Sequence, residues 1–163
     1  MKIGDIVIKG AEVLRIVESK SESYGEGPAM EYWVLEKAYA TGRSGFMLHV
    51  PVERENDLLR PIPSKEEYEE MVATAKAAGS IPWIKDRMKR IDSYRAIVSS
   101  GDIAETLRLC MTFKEFRASE AGTLSTRDRD YETKSRDFVC AAGAAALGLE
   151  PEAVERMLAE ILG

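Results

Sequence analysis

Several kinds of chemistry are hard to place on this chain because their residues are scarce. It has one histidine, His49, and two cysteines, Cys110 and Cys140, among 163 residues. A zinc site draws three or four ligands from such side chains, and nothing near His49 supplies the rest at ligand spacing. The two cysteines sit in expected helices and flank no turn. They read as small buried hydrophobes, not as a disulfide framework or a metal site. No Gly-rich phosphate loop and no G-x-S-x-G turn occurs, which lowers the prior for phosphate chemistry and for a serine nucleophile. No apolar run approaches the ~20 residues that span a bilayer. The start, Met1-Lys2-Ile3-Gly4-Asp5, does not resemble a signal peptide, so a cytoplasmic protein is expected. There is no internal repeat and no low-complexity tract. Excess positive charge is also missing. The net charge is −5, which argues against indiscriminate coating of nucleic acid. No cofactor, metal or membrane partner is expected, and a monomer is.

What is present is a change of composition. Apolar residues make up 45% and charged residues 31%, enough for a packed core under a solvated surface. Val, Ile, Tyr, Trp and Gly are frequent before Pro61-Ile62-Pro63, and Ala, Glu, Lys, Arg and Leu after it. An α+β chain is expected, with a strand-rich module over residues 1–63 and a helical one over residues 64–163. In the first, strands are expected at 5–8, 12–18, 30–37, 45–50 and 58–60. Ser19 to Pro28 reads as a long hairpin loop and Thr41 to Gly45 as a tighter turn. Five short strands suggest a small SH3-like or Tudor-like barrel, whose edge can accept a partner strand.

The second module reads as a bundle of five helices. Ser64 and Glu67 form a capping box, Met71, Val72 and Ala75 an apolar stripe, and Gly79 the stop. The second helix is expected over 84–99, with Ile84, Met88, Ile91 and Val98 inward. Asp102 caps a third carrying Ile103, Leu107, Cys110 and Met111. Ser125 and Asp128 open a fourth that runs through Ala146. Its segment Ala141–Ala146 is a small-residue face that lets another helix approach. Pro151 opens the fifth, with Val154, Met157, Leu158, Ile161 and Leu162 on its apolar face. Glu66–Glu70 reads as a solvated charge run.

One segment stands out. Trp83 follows Pro82 at the mouth of the second helix, and Lys85, Arg87, Lys89, Arg90 and Arg95 follow it. Opposed only by Asp86 and Asp92, they give residues 83–95 a net charge of +3. An aromatic blade beside clustered cations can wedge against nucleobases while the cations hold phosphates. The other reading is a core tryptophan at a helix start with solvated charges around it.

The chain resembles the CarD/CdnL/TRCF family of bacterial transcription regulators over nearly its whole length. Lys2-Ile3-Gly4-Asp5-Ile6-Val7 is similar to the family's opening, and Tyr32-Trp33-Val34-Leu35 to its central strand. Val50-Pro51-Val52-Glu53 and Leu59-Arg60-Pro61-Ile62 resemble the end of its first domain. Ser99-Ser100-Gly101-Asp102 resembles its helix joint, and Leu124-Ser125-Thr126-Arg127-Asp128-Arg129 the opening of its long helix. The resemblance implies a non-enzymatic regulator with two working parts. A Tudor-like domain docks on the β subunit of RNA polymerase by adding its sheet edge to a polymerase strand. A helical domain touches promoter DNA without sequence preference and stabilises the open complex. It puts Lys20 and His49 among the polymerase-facing residues, His49 standing where an arginine is more usual. It makes Trp83 the candidate wedge at the upstream edge of the bubble, with Lys85, Arg87, Lys89 and Arg90 as DNA contacts. His49 reads equally as a half-exposed strand residue with no role. Two other functions stay open: a polymerase- or protein-binding adaptor without DNA contact, and a small enzyme centred on His49.

Overall fold

The computed structural model describes residues 1–23, 25–39, 45–120 and 122–163. The chain is α+β: an antiparallel sheet comes first and helices follow. It divides into two compact units, Met1–Ile62 and Pro63–Gly163, so the division falls inside Pro61-Ile62-Pro63.

Among the described residues the sheet of the first unit has five strands: β1 (Ile6–Lys9), β2 (Glu12–Glu22), β3 (Met30–Lys37), β4 (Leu48–Pro51) and β5 (Arg60–Pro61). Their order is β4-β3-β2-β1-β5. The β1–β2 hairpin closes on Gly10-Ala11, where Gly10 takes φ 57°, a conformation glycine adopts without a Cβ clash. β2 is longer than its apolar alternation suggests. The ladder shifts register between Ile16 and Glu18, then continues through Ser19–Glu22 against Trp33–Met30. The hairpin loop expected from Ser19 is therefore strand as far as Glu22. Polar side chains suit a ribbon exposed to water, and β3 supplies the backbone partners. The expected strand at 45–50 pairs only over Leu48–Pro51, and the fifth at 58–60 pairs over Arg60–Pro61. Leu58 instead ends a short helix, α1 (Glu55–Leu58). Of the turn expected at Thr41–Gly45, residues 41–44 lie outside the described residues. The core gathers Val7, Leu14, Ile16, Leu35, Val50 and Leu59, with Trp33, Leu48 and Leu58 packed against it. Trp33 Nε1 donates to Glu55 Oε2 at 2.7 Å, tying β3 to α1.

The second unit holds α2 (Lys65–Ala78), α3 (Arg87–Ser100), α4 (Ile103–Ala118), α5 (Thr126–Leu147), α6 (Pro151–Met157) and α7 (Ala159–Leu162). α4 packs on α2, α3, α5 and α7, and α5 also meets α2, α3 and α6. The capping boxes form at Ser64–Glu67 and Ser125–Asp128. Three expectations need correction. α3 begins at Arg87, not Ile84, because the Asp86 carboxylate accepts from the Lys89 backbone N–H at 2.9 Å and caps the helix there. Met88 is not inward; it is 79% exposed. The inward face of α3 is Arg90, Ile91, Tyr94 and Val98, a register set by a polar group that an apolar count cannot detect. The fifth helix is two, broken at Leu158. Leu158, Ile161 and Leu162 are buried while Met157 points to solvent, 50% exposed.

The small-residue stretch of α5 brings neighbours very close. A Cβ on Gly143 would lie 2.6 Å from the Tyr68 hydroxyl and 2.7 Å from Val154 Cγ1. That hydroxyl donates to the Val139 carbonyl at 2.9 Å and closes α2 onto α5. Gly143→Ala is expected to lower stability by ~1–3 kcal/mol through overpacking. Leu158→Ala, which empties a site 1% exposed, is expected to cost ~2–4 kcal/mol. Urea unfolding measures both.

Candidate functional site

The segment before α3 is pinned to α4. Ile81 N–H donates to Thr112 Oγ1 at 2.9 Å, and that hydroxyl donates back to the Ile81 carbonyl at 2.7 Å. Arg108 Nε donates to the Gly79 carbonyl at 2.8 Å. These bonds set Trp83 flat against Phe116 of α4, with centroids 3.7 Å apart and planes 7° apart. The Arg90 guanidinium lies over the same indole, its carbon 4.6 Å from the ring centroid. A ring stacked this closely on Phe116 leaves only its other face for the cation. Both faces of Trp83 are thus in use within the helical unit, and the residue is half-buried. Of the two readings of Trp83, free blade and packed side chain, the packing against Phe116 and Arg90 matches the second.

Arg90 belongs to a buried network. Its Nε and Nη2 donate to Asp128 Oδ1 and Oδ2 at 3.0 and 3.2 Å, a two-pronged pair, and Nη1 donates to the Ile84 carbonyl at 3.1 Å. The Tyr94 hydroxyl and Ser125 Oγ also donate to Asp128, at 2.9 and 2.7 Å. Burial alone would raise the Asp128 carboxyl. The bonds from Arg90, Ser125 and Tyr94 outweigh it and hold the carboxyl below the ordinary value. The hydrogen bond to Asp128 raises Arg90 in turn, against its own burial. Burial first, and then the bond to Asp128, pushes the Tyr94 phenol up. Arg90, expected at the DNA surface, is 8% exposed and committed to this network. A phosphate would have to displace Asp128 to reach it.

Lys85, Arg87 and Lys89 are exposed. Among the described residues none of their side chains has an ion-pair partner. They do not form one rail. At about 100° per residue, Lys89 points roughly 200° around α3 from Arg87. Arg87 instead lines an open groove of about 370 Å³ with Met88, Ile91, Asp92, Arg95 and Arg127. Arg127 enters from the first turn of α5, and sequence reasoning missed it. It sits thirty-two positions beyond Arg95, and its neighbours in sequence carry a capping signal, not a site signal.

In the first unit, pairing places Lys20 opposite Tyr32 and His49 opposite Val34. Tyr32 and Val34 are two apart on β3, so Lys20, Tyr32 and His49 share one sheet face. The His49 and Tyr32 rings lie 6.5 Å apart. Glu18 is also opposite Val34, so the face carries both signs. Among the described residues β4, which holds His49, pairs with β3 alone. Cys110 and Cys140 are free and buried, and burial pushes both thiols up to about 12, which keeps them protonated. The described residues hold no cluster of three metal-ligating side chains and no helix long and apolar enough to cross a membrane. No protein-family model matches the chain, and no curated protein does.

Asp128→Asn is expected to cost ~3–5 kcal/mol, because it leaves the Arg90 charge buried without its partner. The pH dependence has a definite sign. A carboxyl held below its unfolded value of about 3.9 adds stability above that pH and loses it as pH falls through the folded value. The Asn variant should therefore show a shallower loss of stability below about pH 4 than the parent, in thermal melts over a pH series.

Proposed function

We propose that this chain is a non-enzymatic regulator of bacterial transcription that docks on the β subunit of RNA polymerase through its first unit. The reading takes that unit as an SH3-like or Tudor-like module, following the resemblance to the CarD/CdnL/TRCF regulators. The observation that carries it is the grouping of Lys20, Tyr32 and His49 on one sheet face beside the outer strand β4. An outer strand offers backbone groups to a partner strand, and side chains on its flank choose the partner.

The helical unit then works beside promoter DNA. Lys85, Arg87 and Lys89 are the cations exposed for weak phosphate contact without sequence preference, in support of the open complex. Tethering to polymerase raises the local concentration, so weak contacts suffice. Trp83 and Arg90 leave that role, since Phe116 and Asp128 engage them. A second reading, a polymerase- or protein-binding adaptor without DNA contact, is favoured by the divergence of Arg87 and Lys89 around α3.

Lys20→Glu should reduce capture of RNA polymerase by the full chain several-fold while circular dichroism stays unchanged. Unchanged capture removes Lys20 from the interface. Promoter-melting kinetics over a salt series separate the two readings. If DNA contact operates, Lys89→Ala flattens the salt dependence of open-complex lifetime by about one counterion. If the adaptor reading holds, the slope does not change.

A further inference from the structure

The groove between α3 and the start of α5 joins two properties that a phosphate-binding rail does not need together. Its apolar lining is Ile91, 8% exposed, and Met88, which stands out into solvent at 79%. Beside them stand Arg87, Arg95 and Arg127. Their spacing explains the shape. Positions 87, 88, 91, 92 and 95 fall on one stripe of α3 about two turns long, and Arg127 faces them from a second helix. Arg87 and Arg127 have no ion-pair partner among the described residues, and Arg95 is held only by an exposed contact of 3.3 Å to Asp92. Exposed pairs of that kind are worth well under a stable bond and yield to a better acceptor.

We propose that this groove docks an acidic peptide segment of a partner protein, one large apolar side chain of which seats against Met88 and Ile91. Carboxylates on either side of that anchor meet Arg87, Arg95 and Arg127. Guanidinium groups bind carboxylates through two parallel bonds, and arginine is enriched where interfaces concentrate their affinity. Methionine adapts its shape to varied apolar partners. A volume of about 370 Å³ takes a side chain or two, not a folded surface. One feature favours a peptide over a nucleic-acid backbone: Met88 and Ile91 give phosphates nothing to bind, whereas an apolar anchor side chain gains from covering them. Nothing in the groove requires the sheet unit, and with Arg87 given to the peptide, Lys85 and Lys89 remain as the exposed cations for phosphate contact.

The test uses the full chain and a fluorescein-labelled short peptide of glutamates around a central leucine, read by anisotropy at low salt. Binding is expected, and Arg127→Glu should weaken it about tenfold or more. Met88→Ser should weaken it several-fold, and Asp92→Asn should tighten it. All three side chains are exposed, and far-ultraviolet circular dichroism verifies that each variant folds. A peptide with lysines for glutamates is expected not to bind. Parent-like binding by both Arg127→Glu and Met88→Ser overturns the proposal, as does equal binding of the lysine peptide. So does a duplex DNA that binds and loses affinity with Arg127→Glu while the acidic peptide does not bind, since the groove would then serve nucleic acid. A dimer of the chain in sedimentation that Met88→Ser abolishes would assign the groove to a second copy and overturn it equally.

Discussion

The two-pronged ion pair between Arg90 and Asp128 organises the helical unit. Asp128 does three things at once. It closes the capping box with Ser125 that opens α5, accepts from Tyr94, and takes both prongs of Arg90. The long central helix therefore starts where α3 is held. Arg90 in turn supplies the cation over Trp83, which fixes the segment before α3 against Phe116. An uncompensated charge here would be strongly unfavourable, so the pair specifies the register of α3 more sharply than its apolar residues do. With Arg90 inward, Met88 must face out, while Arg87 stays on the side of Ile91 and is open only because it begins the helix, where it lines the groove with Arg127.

The same constraint reorganises the basic segment as a surface. The net +3 of residues 83–95 is real as a sum, but it is not delivered to one face. One cation is buried, Arg87 and Arg95 line the groove with Arg127, and Lys89 points elsewhere. A chain of net −5 with its positive charge divided in this way is poorly suited to free binding to DNA.

In the sheet unit the comparable constraint is the shift between Ile16 and Glu18. It lets β2 leave the core behind Ile16 and run on as a solvated ribbon with the start of β3. That run carries Lys20 to the same face as His49. Lys20 and His49 lie twenty-nine positions apart in the chain, and only strand pairing relates them.

By itself the sequence determined the punctuation: the Pro61–Pro63 joint, the caps at Ser64 and Ser125, and the stop at Gly79. These are local effects, set by a residue and its near neighbours, so they survive without the fold. The small residues near Gly143 were legible for the same reason, since only close packing explains such a stretch. Tertiary structure alone decided which side of α3 faces inward, that the last helix breaks at Leu158, and that β2 continues to Glu22. Each depends on a distant partner: Asp128 for Arg90, the neighbouring helices for Leu158, and the start of β3 for β2. A cation in a sequence looks the same whether it meets water or a buried carboxylate thirty-eight positions away. Apolar periodicity registers hydrophobic burial only, and that is why Met88 read as core and Arg90 as surface.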